Sequence, residues 1–384
     1  MKIAFTSAAG GGLDTYVLEA GRWLHQHGHT VHVIYRGSIP KHPERYAGLR
    51  FHAYPPKDFS YYLGKLDVFR TQLVGIAHIY ENSRALAKKL REIADTAGLD
   101  FAELIEAYAF PSLFKDIPFV VKMHGAEWTV RHYCEDKPYL RLLVRLEANM
   151  LRAAKQVFAV SRAHGDFIAG ACQIPPRLIQ VVRYPSDLEH FGVASPPSQS
   201  PPFRLMYVGR LERRKGLHTL IEAMRSVWKH EPQTHLHLYG SNGDFGQQQI
   251  EAVMPPSEHQ GRIRFEGFIL RNQLMQRYQQ AHLCVAPTRY ETSGGYHIQE
   301  AACCGRPVVA SDIGSVAELV RHGETGWLVP RDDVGALADA IVYGLQNPSE
   351  RERLGEAARK FSRVFDTDYV MQHQLKLYEQ VVRS

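Results

Sequence analysis

The stretch YETSGGYHIQEAACCGRPVVASD, residues 290–312, places two acids around a glycine pair and a predicted short helix. Gly294 and Gly295 precede that helix and would leave backbone amides at its N-terminus, where the macrodipole stabilises an anion such as a phosphate. Glu291 and Glu300 flank the glycines. A carboxylate binds phosphate poorly but accepts hydrogen bonds from vicinal sugar hydroxyls. The stretch therefore predicts a ligand that carries both phosphates and hydroxyls.

A second candidate site is the basic turn VGRLERRKG, which follows the predicted strand 203–209. Arg210 and Lys215 bracket this turn. An arginine offers a fixed fork of donors for phosphate oxygens, and a lysine offers a mobile point charge. The two cations could bind one diphosphate without a metal ion, although a solvated basic turn is an equally good interpretation of these residues taken alone.

The N-terminal glycines, Gly10, Gly11 and Gly12, follow a predicted strand but do not complete G-x-G-x-x-G. The next strand ends Ile34-Tyr35-Arg36, with no acid to bind a ribose, so a nicotinamide site is disfavoured. We expect a glycine loop that approaches a ligand closely or serves as a structural turn.

The sequence contains no convincing cluster of metal ligands, and we expect neither a metal nor a cofactor. Helix capping explains Asp366-Thr367-Asp368 better than metal binding does. The five cysteines are odd in number and lack CxxC spacing, which favours a reducing compartment and a cytoplasmic protein.

Strands and helices alternate in both halves of the chain and predict the elements that hold these residues. Strands are expected at 3–6, 31–35, 101–105, 119–123 and 157–160, with a helix at 15–27. The Pro/Ser-rich segment 193–202 separates this half from a second one that again opens strand, turn and helix (217–228). We predict an α/β fold of two Rossmann-like domains facing across a crevice.

The predicted domains are residues 1–190, a linker at 191–202, residues 203–365 and a C-terminal helix at 366–384. That helix is amphipathic and is expected to pack back on the N-terminal domain, with membrane binding as the less favoured alternative. A net charge of +6, spread along 384 residues, disfavours nucleic-acid binding. No apolar run reaches the length of a membrane span, so contact with a membrane would be peripheral.

Several motifs, in this order along the chain, resemble the retaining glycosyltransferases of family 4, which have the GT-B fold. They are GGGLDTYVLEAGRWLHQHGHTVHVI, VVKMHG, FAVSRAHGDFI, VGRLERRKGLHTLIEA, RIRFEGFI, the stretch at 290–312 and SVAELVRHGETGWLVPRDDVGALADAI. The resemblance implies that a nucleotide-diphosphate sugar binds mainly to the C-terminal domain. The acceptor, which is a saccharide, a lipid-linked molecule or a small molecule, would bind mainly to the N-terminal domain.

The resemblance also implies roles for individual residues. Arg210 and Lys215 correspond to the diphosphate ligands, Glu300 to the ribose ligand, and Glu291 to the acid that faces the sugar. The remaining implied contacts are His124 with the donor sugar, Gly294, Gly295 and Tyr296 with phosphate or sugar, Phe268 and Ile269 with the nucleobase through the main chain, and Gly11 and Gly12 with donor and acceptor.

Two motifs depart from the family pattern. Eight residues separate Glu291 from Glu300 where the family usually has seven, and the segment between the domains reads Tyr184-Pro185-Ser186-Asp187 in place of an N-G-V-D-type sequence.

The expected activity is transfer of a sugar to an acceptor hydroxyl with retention at the anomeric carbon. A sugar-phosphate synthase or an epimerase on the same scaffold, or a non-catalytic nucleotide-sugar-binding protein, are the alternatives.

Overall fold

The computed structural model describes residues 1–7, 11–40, 43–55, 68–105, 110–125, 129, 140–192, 197, 199–291 and 295–383. The chain forms two compact units. Residues Met1–Pro185 and Thr367–Ser384 form the first unit, and Ser186–Asp366 form the second.

The first unit contains a parallel sheet with the strand order β3-β2-β1-β4-β5-β6-β7. Its strands are β1 (Lys2–Ser7), β2 (Thr30–Arg36), β3 (Arg50–Tyr54), β4 (Phe101–Ile105), β5 (Phe119–Met123), β6 (Val157–Ala159) and β7 (Ile179–Val181). Its described helices are α1 (Gly11–Gln26), α2 (Val68–Ala97), α3 (Arg141–Ala153) and α4 (Arg162–Cys172), joined by the C-terminal helix, Thr367–Arg383.

The second unit contains a six-stranded parallel sheet with the order β10-β9-β8-β11-β12-β13. Its strands are β8 (Phe203–Val208), β9 (Thr234–Tyr239), β10 (Ile263–Gly267), β11 (Leu283–Ala286), β12 (Val308–Ser311) and β13 (Gly326–Val329). Its helices are α5 (Leu217–His230), α6 (Gln247–Val253), α7 (Pro256–His259), α8 (Arg271–Gln280), α9 (Tyr296–Cys303), α10 (Gly314–Ala317), α11 (Val334–Gln346) and α12 (Pro348–Phe361).

The predicted fold class, two Rossmann-like α/β domains, is confirmed. Strands covered on both faces are mostly apolar along their whole length rather than alternating. The central strands follow this pattern, with Glu103 in β4 and Lys122 in β5 as buried charged exceptions. Every residue of β5, β11 and β12 is buried. The strands predicted at 101–105 and 119–123 have those bounds in the structure.

The N-terminal glycines differ from the prediction. Helix α1 begins at Gly11, so Gly11 and Gly12 lie in its first turn and not in a loop before it. The sequence-based prediction started the helix at Thr15 because it gave glycine too little weight as a first-turn residue, where the backbone amides have no helical partners in any case. Gly10 lies outside the described residues.

The C-terminal helix, α13 (Thr367–Arg383), belongs to the first unit, as predicted. Trp23 of α1 donates its indole N–H to Asp368 at 2.5 Å, and Tyr378 donates to Glu103 on β4. Helix α13 therefore completes the packing around the first sheet.

The chain enters the second unit at Ser186, before the predicted linker at 191–202. Ser186 donates its amide to the Phe365 carbonyl at 2.7 Å, and Phe191 is fully buried in the core of the second unit. Residues 193–196 and 198 of the predicted linker lie outside the described residues. No described helix is long and apolar enough to cross a membrane.

Candidate active site

The loops after the parallel strands of the second unit hold most of the predicted site residues. Backbone hydrogen bonds connect these loops: the Gly209 amide donates to the Tyr239 carbonyl at 2.9 Å, the Gly240 amide to Gly267 at 2.8 Å, and the Leu211 amide to Ser241 at 3.0 Å. The carboxyl ends of β8, β9 and β10 therefore form one continuous edge, which is where α/β sheets bind ligands.

The turn Arg213–Gly216, called the Lys215 turn below, is packed against the loop that follows β11. Gly216 has φ +69°, and a Cβ built on it would lie 1.6 Å from the Pro287 carbonyl oxygen. The Arg289 amide also donates to the Arg214 carbonyl at 3.0 Å. Only glycine allows this close approach of two backbones, and the approach brings Lys215 to the residues that follow β11.

Lys215 and Glu291 form an ion pair between the ammonium group and one carboxylate oxygen. The pair has little exposure to solvent, because the side chain of Glu291 is 1% exposed and that of Lys215 is 14% exposed. The Ser315 hydroxyl donates to the backbone carbonyl of Glu291 and fixes the position of this loop. The structure therefore unites two predicted site residues that lie far apart in the sequence.

Arg210 follows the same strand as Lys215 but takes a different partner. Its guanidinium binds Glu212 at 2.7 Å and is 66% exposed, while the Tyr207 hydroxyl donates to its carbonyl at 2.8 Å. Glu212 also binds Arg214 at 3.3 Å. Arg210 is thus an accessible cation on a fixed backbone, in contrast to the partly buried Lys215.

Gly295 caps the N-terminus of α9 in the left-handed conformation, with φ +57°. Tyr296 and His297 form the first turn of the helix. Burial, followed by the charge of Lys215, lowers the pKa of His297 to about 4, and the charge of Glu291 partly opposes this shift. The Lys215–Glu291 pair therefore acts electrostatically on the first turn of α9. Gly294 lies outside the described residues.

Glu300 lies in the second turn of α9 and is buried. Its carboxylate accepts a hydrogen bond from the Tyr278 hydroxyl at 3.1 Å. Burial, together with the charge of Glu300, raises the pKa of Tyr278 well above its usual value, so this phenol stays a donor. Tyr278 thus orients one side of the carboxylate.

Phe268 and Ile269 follow β10, at the edge of the same sheet. The Phe268 side chain is 73% exposed, whereas Ile269 packs partly against the core.

His124 lies in the first unit, directly after β5, in a cluster with Tyr16 and Tyr184 that we call the His124 cluster. Its Nδ1 is 2.7 Å from the Tyr184 hydroxyl, the two rings are stacked with centroids 5.6 Å apart, and the Tyr16 ring lies 5.2 Å away. Burial, then the charges of Lys122 and His164, lowers the pKa of His124 well below its usual value. The imidazole is therefore neutral at pH 7.

The sequence analysis missed the residues that hold the predicted ones. Tyr184 was noted only as a departure from a motif, and His297 was part of the opening stretch without a role. The partners of the two site acids and of Arg210 were also missed: Tyr278, Ser315 and Glu212. Among the described residues, no group of three or more His, Cys, Asp or Glu side chains could hold a metal ion.

Comparison with known families assigns both units. Residues 193–361 match the family described as "Glycosyl transferases group 1", and residues 10–190 match "Glycosyltransferase Family 4". The chain belongs to the group 1 glycosyltransferases, as the sequence motifs predicted.

Characterised relatives are glycosyltransferases from bacteria. The chain is 29% identical over 249 residues to a glycogen synthase of Mycobacterium tuberculosis, a match that covers 64% of this chain and 59% of that enzyme. It is 34% identical over 181 residues to a phosphatidyl-myo-inositol mannosyltransferase of Mycobacterium leprae, covering 47% of each protein. The matches thus span less than two thirds of these relatives.

Solved structures show the fold over the whole chain. Anabaena HepE in complex with UDP and glucose matches with a TM-score of 0.76 and 20% identity, covering 99% of both chains. The sucrose-phosphate synthase of Thermosynechococcus elongatus matches with a TM-score of 0.78 and 22% identity, also covering 99% of both chains. At this identity the likeness establishes the GT-B fold and no more.

Proposed function

We propose that this chain transfers a sugar from a nucleotide-diphosphate sugar to an acceptor hydroxyl, with retention and without a metal ion. The observation that carries the proposal is the pair of partly buried Lys215 and buried Glu291 beside the first turn of α9, within the unit that matches the group 1 glycosyltransferases. A cation, a helix N-terminus and an acid at one sheet edge suit a ligand that has both phosphates and hydroxyls.

Lys215 and Arg210 are proposed to bind the diphosphate. An ammonium group has three donors, so Lys215 can bind Glu291 and phosphate oxygens together. Arg210 is held through its backbone and exposed at its guanidinium, which suits a bidentate contact with phosphate. The amides at Gly295 and Tyr296 add the positive end of the α9 dipole.

The two acids are proposed to bind hydroxyl groups on either side of the phosphates. Glu300, oriented by Tyr278, would bind the ribose, and Glu291 would bind the transferred sugar while it holds Lys215 in place. A carboxylate has about four acceptor sites, enough for both tasks. The main chain at Phe268 and Ile269 would contact the base.

The reaction breaks the bond between the anomeric carbon and the diphosphate, and the electron pair leaves with the phosphate oxygen. Lys215, Arg210 and the N-terminus of α9 stabilise this growing negative charge more than they stabilise the ground state, which is what accelerates the reaction. The acceptor oxygen attacks from the side that the phosphate leaves, and its proton passes to the departing phosphate. Neutral His124 would orient the donor sugar.

Transfer of the sugar to a sugar-phosphate acceptor is a second candidate function, and one relative favours it. The chain is 28% identical over 294 residues to an alpha-maltose-1-phosphate synthase of Mycobacterium tuberculosis, covering 75% of that protein. The transfer chemistry is the same, and the acceptor alone differs. Cytoplasmic location, peripheral membrane contact and independence from metal ions stay predictions.

A thermal-shift panel of nucleotides and nucleotide sugars tests the donor site. A true donor at a concentration 100 times its dissociation constant should stabilise the protein by about 2.7 kcal/mol. Glu300→Gln keeps the size of the side chain but removes the ribose-binding charge, so we expect at least tenfold weaker nucleotide binding.

Glu352→Gln is the matched control, because Glu352 is an exposed acid on α12. It should bind nucleotides like the wild type. Equal nucleotide affinity of Glu300→Gln and wild type would contradict the ribose role, and no shift with any nucleotide would contradict the donor site.

A further inference from the structure

Lys122 is an unusual residue for the centre of a parallel sheet. It lies on β5, between Val121 and Met123, and its side chain is fully buried. Burial of an ammonium group is costly unless partners compensate for the lost water, and a methionine of similar shape would avoid the cost. The partners of Lys122 therefore indicate the role of its buried charge.

The first partners of Lys122 are a carbonyl, an aromatic ring and an acid. Its Nζ donates to the Val182 carbonyl at 2.7 Å and lies 4.7 Å from the centroid of the Tyr16 ring. Lys122 pairs in register with Ile105, two residues beyond Glu103, so the side chains of Glu103 and Lys122 lie on the same face of the sheet. Burial lowers the pKa of Lys122, and ionised Glu103 opposes that shift. Burial also raises the pKa of Glu103, and the charge of Lys122 opposes this second shift.

Two of the partners of Lys122, Tyr16 and Val182, connect it to the His124 cluster. Tyr16, under the ammonium group, packs against His124, with its ring centroid 5.2 Å from that of the imidazole. Val182 lies two residues before Tyr184, whose hydroxyl contacts His124 Nδ1. Lys122 thus contacts Tyr16 directly and is linked to Tyr184 through the backbone at Val182.

Glu103 extends the same network to the C-terminal helix. Its buried carboxylate accepts hydrogen bonds from Tyr16 at 2.7 Å, from Gln374 at 3.1 Å and from Tyr378. Helices α1 and α13 are therefore connected to β4, which pairs with β5, the strand that ends directly before His124, all within the first unit.

We propose that Lys122, together with Glu103, is a buried positioning pair that fixes the orientation and the neutral state of His124. The inference rests on the proposed function for its effect on turnover, but the link between Lys122 and His124 is a physical contact network that can be measured without turnover.

Proton binding by Lys122 should change the environment of His124, and this change can be measured. Burial, partly opposed by Glu103, lowers the pKa of Lys122 to about 7. The other titratable groups around it are Tyr16 on α1, Tyr378 on α13 and, beside His124, His164 on α4. Burial raises the pKa of both tyrosines well above the usual value, so neither titrates near pH 7.

Nuclear magnetic resonance of protein labelled with ¹⁵N-histidine tests the inference. The His124 signals, identified by their loss in His124→Asn, should shift with a midpoint near pH 7 while the ring stays neutral. Lys122→Met should abolish this transition. Glu103→Gln should move its midpoint to lower pH, because a charge that favours protonated Lys122 is gone.

Turnover of the same variants gives the second readout. Lys122→Met should lower kcat at least tenfold and change the KM for the donor less than threefold, because the proposed phosphate ligands are intact. Arg351→Met is the matched control, a buried cation in the second unit that donates to the Gly344 and Leu345 carbonyls. It should lower Tm and leave the His124 transition and the kcat/KM pattern unchanged.

Each outcome decides the inference. No His124 transition between pH 6 and 8 in the wild type, an unmoved transition in Glu103→Gln or Lys122→Met, or a kcat of Lys122→Met within twofold of wild type would overturn it. If the wild type releases no nucleoside diphosphate from any nucleotide sugar, the proposed function fails instead, and the titration still decides whether Lys122 positions His124.

Discussion

Two histidines lie among the residues proposed to handle the donor, and burial keeps both neutral at pH 7. His124 contacts Tyr184 in the first unit, and His297 lies in the first turn of α9 in the second. A neutral imidazole donates one hydrogen bond and accepts another but supplies no positive charge. We therefore assign the stabilisation of the leaving diphosphate to Lys215, Arg210 and the α9 N-terminus.

Neutral His297 makes the stability of the protein depend on pH. Its pKa is about 4 in the folded chain and about 6.5 in an unfolded one, so the unfolded chain binds the proton first as the pH falls. The stability that the neutral ring contributes is complete above about pH 6.5 and is lost as the pH approaches 4. We expect wild type to lose roughly 2–3 kcal/mol relative to His297→Gln over this window.

Urea unfolding at pH 4.5, 5.5 and 7.5 measures this loss. The difference between the two proteins should be constant from pH 7 to 8.5, where the ring is neutral in both states, which serves as the internal control. A difference that does not change below pH 6.5 would contradict the assignment.

At the scale of elements, the close approach of the Lys215 turn to the loop after β11 brings together the residues of the proposed donor site. Gly216 makes the approach possible, and Gly261 provides a matched comparison. Both are left-handed, at φ +69° and +72°, but a Cβ at Gly261 would have no atom within 4 Å apart from those of Gly261 itself and its two chain neighbours. Alanine should cost about 1–2 kcal/mol at Gly261 from the backbone conformation alone. At Gly216 the collision with the Pro287 carbonyl adds about 1–3 kcal/mol.

Chemical unfolding of the two alanine variants measures the difference. Gly216→Ala should also lower turnover, since displacement of the turn separates Lys215 from Glu291, whereas Gly261→Ala should keep wild-type turnover. Equal unfolding free energies and equal turnover in the two variants would show that the approach is unimportant.

The strands could be predicted from the sequence for a physical reason. Parallel strands buried on both faces are mostly apolar, and β4 and β5 were predicted with their observed bounds although they contain Glu103 and Lys122. The start of α1 was wrong because the sequence signals for glycine loops and for glycine in a first helical turn are the same. The pairing of Lys215 with Glu291 could not be predicted, because it depends on backbone contact between segments that are 76 residues apart.

At the scale of the whole molecule, the chain is divided so that each unit contributes a different part of the proposed reaction. The second unit holds the residues proposed for the phosphates, the ribose and the base. The first unit holds the His124 cluster. It also includes helix α13, which follows the second unit in the sequence. The alternation of strands and helices predicted both units.

Site residues were harder to predict than the fold at this scale. Arg210, Lys215, Glu291 and Glu300 were named from their types and from family motifs. The side-chain partners of Lys215, Glu291 and Glu300 come from other elements, whereas Arg210 pairs with Glu212 in its own turn. Lys122 was part of a quoted motif, but no role was predicted for it. The sequence VVKMHG does not indicate whether its lysine is buried or exposed. Burial is a property of the assembled sheet.

The measurement that tests the central claim most directly is release of nucleoside diphosphate from the nucleotide sugar that best stabilises the protein. Wild type, Lys215→Ala and Lys229→Ala are compared, since Lys229 is an exposed lysine on α5. We predict that Lys215→Ala lowers turnover about 100- to 1,000-fold, equivalent to about 2.7–4 kcal/mol of transition-state stabilisation, and that Lys229→Ala matches the wild type. Turnover of Lys215→Ala within threefold of the wild type, with the protein folded, would contradict the account.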